Sequence, residues 1–396
     1  MRTPVILVAG QGAGTDAVDV LLRDEGTAVV GYSVDGHVVV RQVSNMRDTK
    51  LVITQWPLEI TNCCVTCTIR NDLLILLRQL HRRDDVQRIV VQLMKWLDPE
   101  AICAAIHDTS VQLGPGYIDG PAGRDVEIQA VVTCIDTGVW LSQALGDDEL
   151  DDSRTVAQVV VGQAAFADVL VLTEADRATL AVLRRLAPRA RITVGLQHFT
   201  TALKHLDAQS RRGRSDDPHD SLLAGQPPLH PDGEVELLEF NARRPFHPER
   251  LHQAIDALLD GVVRVRGRAW LASQPDTVVW IESAGGGLGV GDAGRWLAGM
   301  SERDRAYVDP ERTAMASSHW DDRFGDRHIA LTILVCGANP ATITTALHGA
   351  LLTDAELANP QGWAGFPDPF GEWHEDPCSE LAHDLTDDHI MLNGEE

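Results

Sequence analysis

Short apolar runs that alternate with helical patterns constrain this chain more than any other feature. Val5-Ile6-Leu7-Val8-Ala9 is the first, and further runs lie at residues 88–93, 127–135, 167–173 and 189–194. Runs of this length without polar alternation suit strands buried on both faces. Helical patterns at residues 17–23 and 71–80 fall between them. Asp98-Pro99-Glu100 opens another helix, with an aspartate N-cap and a proline at the first helical position. Residues 27–32 and 38–43 read as two more strands around an Asp35-Gly36 turn. Strands alternating with helices over about 200 residues predict an α/β fold with a doubly wound parallel sheet.

The pattern changes at residues 209–233, a polar stretch rich in proline and glycine. It reads as a linker. Its Arg211-Arg212-Gly213-Arg214 run reads as solvated linker, with contact to an anionic partner as the alternative. Beyond it, residues 234–240, 262–271, 277–283 and 329–336 read as strands, and residues 248–259 and 340–352 as helices. They predict a smaller α+β domain. A chain of 396 residues is too long for one ordinary core, which supports the same division. The expected boundaries are a first domain at 1–208, a linker at 209–233, a second domain at 234–378 and an acidic tail at 379–396.

A formal charge of -24 argues against broad contact with nucleic acid phosphates and leaves room for a basic protein partner. No apolar run is long enough for a membrane span, and no signal-peptide pattern opens the sequence. Seven cysteines, clustered once and otherwise scattered, do not form a disulfide framework. A reducing cytoplasm is the expected compartment.

Two stretches carry candidate chemistry. The first run leads into Gly10-Gln11-Gly12-Ala13-Gly14 and then a helix. Strand, glycine loop and helix form the layout of a phosphate cradle, and equally of a plain tight turn. Thr15 and Asp16 stand where a phosphate cradle wants a lysine and a Mg-binding hydroxyl. An aspartate there repels phosphate. The second stretch is Cys63-Cys64-Val65-Thr66-Cys67, just before a helix. Cys64 and Cys67 have the spacing that turns two thiolates toward one soft ion, with Cys63 a candidate third sulfur. A helix N-terminus lowers thiol pKa values. A zinc or other thiophilic metal site, a redox dithiol and buried structural thiols all remain open on this reading.

Other candidate ligands have plainer readings. His81 ends a helix, and His247 precedes Pro248 at a helix start. His319 and His328 have spacing that allows pairing across a turn. His374 and Cys378 have metal-compatible spacing near the C-terminus. No serine or cysteine nucleophile stands at an informative distance from a histidine.

With these residues in place, the chain resembles the CobW-like family of P-loop GTPases and metallochaperones. The C-terminal half carries the most specific phrases: Arg244-Pro245-Phe246-His247-Pro248-Glu249-Arg250-Leu251, Gly261-Val262-Val263-Arg264-Val265-Arg266-Gly267 and Trp270-Leu271-Ala272. Gly325-Asp326-Arg327-His328 and Leu351-Leu352-Thr353-Asp354 match as well. The resemblance implies a P-loop NTPase-like first domain and a CobW C-terminal domain. The family's metal motif, G-C-x-C-C-T-[LI]-R, aligns with residues 63–70. Cys64 and Cys67 keep its outer cysteines, Thr66 replaces the middle one, and Cys63 replaces its glycine. That implies zinc as the metal.

The nucleotide motifs depart from the family together. Gly10, Gly12, Gly14, Thr15 and Asp16 stand in its Walker A without the lysine or the Mg ligand. Gln92 replaces the acid of the switch motif. Of the guanine reader only Asp176 is left. Phosphoryl transfer needs most of these groups at once. The departures point away from an efficient GTPase and leave GTP and Mg in doubt as ligands.

Within the family the chain looks like a mycobacterial branch with a similarly eroded P-loop, which recruits the ribosome hibernation factor to ribosomes under zinc starvation. This resemblance implies an adaptor whose partners are the hibernation factor and the 30S or 70S ribosome. It implies neither membrane attachment nor sequence-specific nucleic acid binding. The alternative expectation is a zinc metallochaperone or sensor with residual GTP binding or hydrolysis.

Overall fold

The computed structural model describes residues 2–60 and 64–371. These fall into two compact units: residues 2–9 with 15–60 and 64–131, and residues 10–14 with 132–371.

The first unit is built on β1 (Thr3–Gly10), β2 (Thr27–Asp35), β3 (Val38–Arg47), β4 (Lys50–Glu59), β5 (Arg88–Gln92) and the first part of β8 (Val126–Ile135). Their order in the sheet is β8-β1-β5-β2-β3-β4. β1, β5 and β2 pair in parallel, with Ile6 opposite Val90 and Val90 opposite Val29. Val5, Ile6, Leu7 and Val8 are all buried, as an apolar run on a central strand requires. Each such side chain contributes roughly 2 kcal/mol when fully buried. A two-residue ladder joins β6 (Ser110–Val111) to β7 (Gly120–Pro121). Asp98 caps the helix Pro99–Asp108, its carboxylate accepting from the Glu100 amide at 2.9 Å.

The edge of this sheet departs from the sequence reading. β3 and β4 extend it antiparallel, and β4 is exposed along almost its whole length. No buried face gave β4 a readable period. Its turn uses Asp48 and Thr49 at positive φ instead of a glycine signal.

In the second unit β8 continues beside β9 (Val169–Leu172) and β10 (Arg191–Val194), all in parallel. A separate antiparallel sheet follows in the order β11-β15-β12-β13-β14. Its strands are β11 (Val235–Ala242), β12 (Val262–Ala269), β13 (Thr277–Ala284), β14 (Gly287–Arg295) and β15 (Ile329–Cys336). β14 escaped the sequence reading because Gly287-Leu288-Gly289-Val290-Gly291 carries no strand propensity. Gly287 has a packing reason. A Cβ on Gly287 would lie 2.6 Å from Thr155 Oγ1, at the start of the helix Val156–Ala165.

The central strand β12 alternates two chemistries. Val263, Val265 and Ala269 are fully buried, while Arg264, Arg266 and Arg268 share the other face. These arginines explain why residues 209–233 are not a solvated tether. Asp216 accepts from Arg189 at 2.8 Å, Arg211 at 2.7 Å and Arg266 at 3.5 Å. Burial pushes its carboxyl up, but Arg211 and Arg189 more than offset this and hold it at about 2. Arg268 donates to the carbonyls of Pro218 and Asp220 at 2.8 and 2.9 Å. The stretch is a strap held on the arginine face of the sheet.

Candidate functional site

The helix Val65–His81 begins earlier than its apolar pattern alone suggests, and this places the cysteines. Cys64 is the N-cap residue in extended conformation, and its Sγ accepts from the Cys67 amide at 3.3 Å. Thr68 Oγ1 donates to the Cys64 carbonyl at 3.0 Å and closes the turn. Cys67 lies in the first turn and is buried, whereas Cys64 is half-buried. Both sulfurs thus sit at the N-terminal end of this helix. Cys63 lies outside the described residues. Among the described residues no three His, Cys, Asp or Glu side chains form a metal-holding group. The described part of this site is therefore a two-sulfur turn.

The far end of the same helix is held by a buried guanidinium. Arg78 is 3% exposed and binds the Asp125 carboxylate at 2.7 Å. It also donates to the carbonyls of Ile118 at 2.6 Å and Gly120 at 3.0 Å. His81 Nδ1 lies 2.8 Å from the Thr3 hydroxyl at the start of β1. The cysteine turn is thus carried by a helix fixed at its other end.

The glycine loop has a different arrangement from a phosphate cradle. The amides of Gln11 and Gly12 both donate to the Cys134 carbonyl of β8, at 3.0 and 2.9 Å. The Gly14 amide donates to the Gly12 carbonyl at 2.8 Å. A phosphate cradle works by pointing such amides at the anion. Here three of them already have acceptors. A Cβ on Gly10, at φ +103°, would lie 2.2 Å from the Cys134 oxygen, so the loop lies flat on β8.

The remaining nucleotide candidates also have other partners. Thr15 Oγ1 accepts from Gln92 Nε2 at 3.2 Å, joining the two residues that replaced a lysine and an acid. Asp16 lies in the first turn of the helix Gly14–Leu22. Asp176 is the N-cap of the helix Arg177–Leu186, and its Oδ2 accepts from the Thr179 amide at 2.7 Å. That amide bond holds its carboxyl below the usual range. These residues do not fit a Mg-nucleoside triphosphate.

The other histidines separate in the same way. His247 precedes the helix Pro248–Ala254 without capping it by its side chain, and its ring packs 4.3 Å from that of Phe366. His319 and His328 do pair, with ring centroids 5.0 Å apart. His374, Cys378 and the acidic tail lie outside the described residues.

Comparison with known proteins agrees with this architecture. Residues 22–199 match the CobW/HypB/UreG nucleotide-binding domain, and residues 235–351 match the cobalamin synthesis protein cobW C-terminal domain. The first match begins after the Gly10–Gly14 loop. The chain is 59% identical over 381 residues to a Mycobacterium tuberculosis protein named zinc chaperone Rv0106, covering 96% of each. It is 24% identical over 326 residues to zinc-regulated GTPase metalloprotein activator 1 of Dictyostelium discoideum, covering 76% of this chain and 66% of that one. Among solved structures, the Zn(II)-bound YjiA GTPase from E. coli matches with a TM-score of 0.37 and 14% identity, over 89% of this chain and 100% of that one. On the two matched domains and the extent of the first similarity, the chain belongs to the CobW/HypB/UreG family and carries a cobW C-terminal domain.

Proposed function

We propose that this protein handles zinc as cargo, in the manner of a metallochaperone, and does so without efficient GTP hydrolysis. The observation that carries the reading is the placement of Cys64 and Cys67 in the first turn of one helix. Zinc is bound by cysteine thiolates, and this turn supplies two cysteines at C-x-x-C spacing. Two sulfurs leave coordination positions open, which suits an ion that must be handed on. The name of the M. tuberculosis relative supports the same reading.

Competition against a chromogenic chelator tests it. Cys64→Ser and Cys67→Ser are each expected to weaken zinc binding by about 100-fold, since each removes one thiolate ligand. Unchanged affinity in both variants would remove the cysteine turn from the function.

The glycine loop supports the second half of the proposal. With its amides bonded to Cys134 and Gly12, calorimetric titration with Mg-GTP is expected to show no saturable binding up to about 1 mM. Micromolar binding would mean that the loop lifts from β8 and that nucleotide belongs in the mechanism.

The same erosion favours a second reading, an adaptor that brings the ribosome hibernation factor to the ribosome when zinc is scarce. A scaffold that has lost phosphate chemistry keeps its surfaces, and a charge of -24 suits a basic protein partner. Co-sedimentation with 70S ribosomes and hibernation factor, weakening as salt rises, would support it. Absence of the protein from both pellets would remove it.

A further inference from the structure

The three arginines of β12 differ in how their charge is met. Arg264 pairs with the Glu282 carboxylate and Arg266 with that of Asp216. Arg268 is the most buried of the three at 5% exposure, yet among the described residues it forms no ion pair. Its Nη1 donates to two backbone carbonyls, and its Nε is buried without a hydrogen-bond partner. Asp220 and Asp217 act on it only from a distance, so the buried guanidinium remains costly, and a directly bound anion would offset that cost.

Arg268 lines a cleft of about 480 Å³ on the same face of the sheet. Asn241 and Thr332 line it from β11 and β15, and Arg243 adds a second guanidinium, bonded to the His319 carbonyl. His319 and His328 form another wall as a stacked pair. His328 Nδ1 lies 2.8 Å from the Asp326 carbonyl. A carbonyl can only accept, so Nδ1 carries the proton and Nε2 presents a lone pair. That Nε2 is buried and has no partner. Burial, with Arg268 nearby, pushes His328 down to about 4, so the ring is neutral at neutral pH.

The cleft therefore lies over an unmet donor on a cation and an unmet acceptor on a neutral ring, with the Glu239 carboxylate also on its wall. A metal ion suits the imidazole lone pair but not the guanidinium: the arginines repel it, and no group of three ligands stands by among the described residues. We propose that this cleft binds a small oxyanion that also carries a proton to donate, of the hydrogenphosphate class. Both atoms lie beneath the cleft surface, so binding requires each side chain to shift outward, an anionic oxygen then accepting from Arg268 Nε and the P–OH donating to His328 Nε2. The cleft is larger than phosphate alone needs, which leaves room for the rest of a phosphorylated metabolite. The cleft shares no residue with the cysteine turn, and the proposal does not depend on the zinc reading.

Calorimetry on the full chain in phosphate-free, low-salt buffer at pH 7 tests the proposal, with inorganic phosphate and glycerol 3-phosphate as probes. Saturable binding at a Kd below about 1 mM is expected, weakened at least tenfold (about 1.4 kcal/mol) in Arg268→Met. Arg264→Met, whose charge is already matched by Glu282, is expected to bind as the parent does. Should Arg268→Met fail to fold, Arg243→Met and His328→Phe replace it, each expected to weaken binding at least fivefold. Tighter binding of the ester assigns the site to a phosphorylated metabolite, and equal or weaker binding assigns it to free phosphate. No saturable binding of either probe, or equal binding in the parent and the cleft variants, would overturn the proposal.

Discussion

Replacing Arg78 by methionine is expected to lower the unfolding free energy by about 3 kcal/mol, because it breaks a buried ion pair from one side. The variant keeps the length and apolar stem of the side chain but loses the guanidinium. Asp125 would lose its 2.7 Å partner, and the carbonyls of Ile118 and Gly120 would lose their donor. Asp125 is 25% exposed and can recover some hydration, which keeps the expected loss at the lower end for buried pairs. Urea unfolding followed by circular dichroism checks it, and a loss under about 1 kcal/mol would mean that Arg78 does not anchor the helix. The helix concerned is the one that begins at the cysteines. A loosened far end should therefore also weaken zinc binding, by less than loss of a sulfur does.

Gly10→Ala is expected to destabilise the protein by about 3 kcal/mol or more, since strain and collision act together. At φ +103° an alanine is strained, and its Cβ would stand 2.2 Å from the Cys134 carbonyl oxygen. That oxygen also accepts from the Gln11 and Gly12 amides, so moving the loop away costs both hydrogen bonds. Gly36→Ala is the matched control, because Gly36 also has positive φ but open space around it. It should lose only about 1–2 kcal/mol to backbone strain. Equal losses in the two variants would show that the loop does not pack on β8 as described.

The parts legible in the sequence were those in which one local signal decided the structure. Val5 to Ala9 had to be a buried strand because no polar residue interrupts it. Asp98-Pro99 had to open a helix because the aspartate caps and the proline needs no donor. β4 and β14 were hidden for opposite reasons. β4 has no buried face to set a period, and the glycines of β14 remove strand propensity, with Gly287 alone among them making room for Thr155.

For the candidate site, the position of Cys64 and Cys67 beside a helix start was readable, and the helix beginning at Val65 brings them closer to its N-terminus than expected. The glycine loop was ambiguous for a physical reason. Whether its amides face a phosphate or a carbonyl depends on Cys134, which is remote in sequence. Asp216 shows the same limit. Its neighbours suggest a solvated turn, but its partners come from residues 189, 211 and 266. The strap and the cleft beside it exist only once the sheet is built.

Zinc-edge X-ray absorption on the protein loaded with one equivalent of zinc tests the central claim most directly. The account predicts two or three sulfur ligands at about 2.3 Å, with nitrogen or oxygen filling the remaining positions. It also predicts that one sulfur is lost in Cys67→Ser. A spectrum with only nitrogen and oxygen ligands, unchanged in that variant, would place zinc elsewhere and contradict the account.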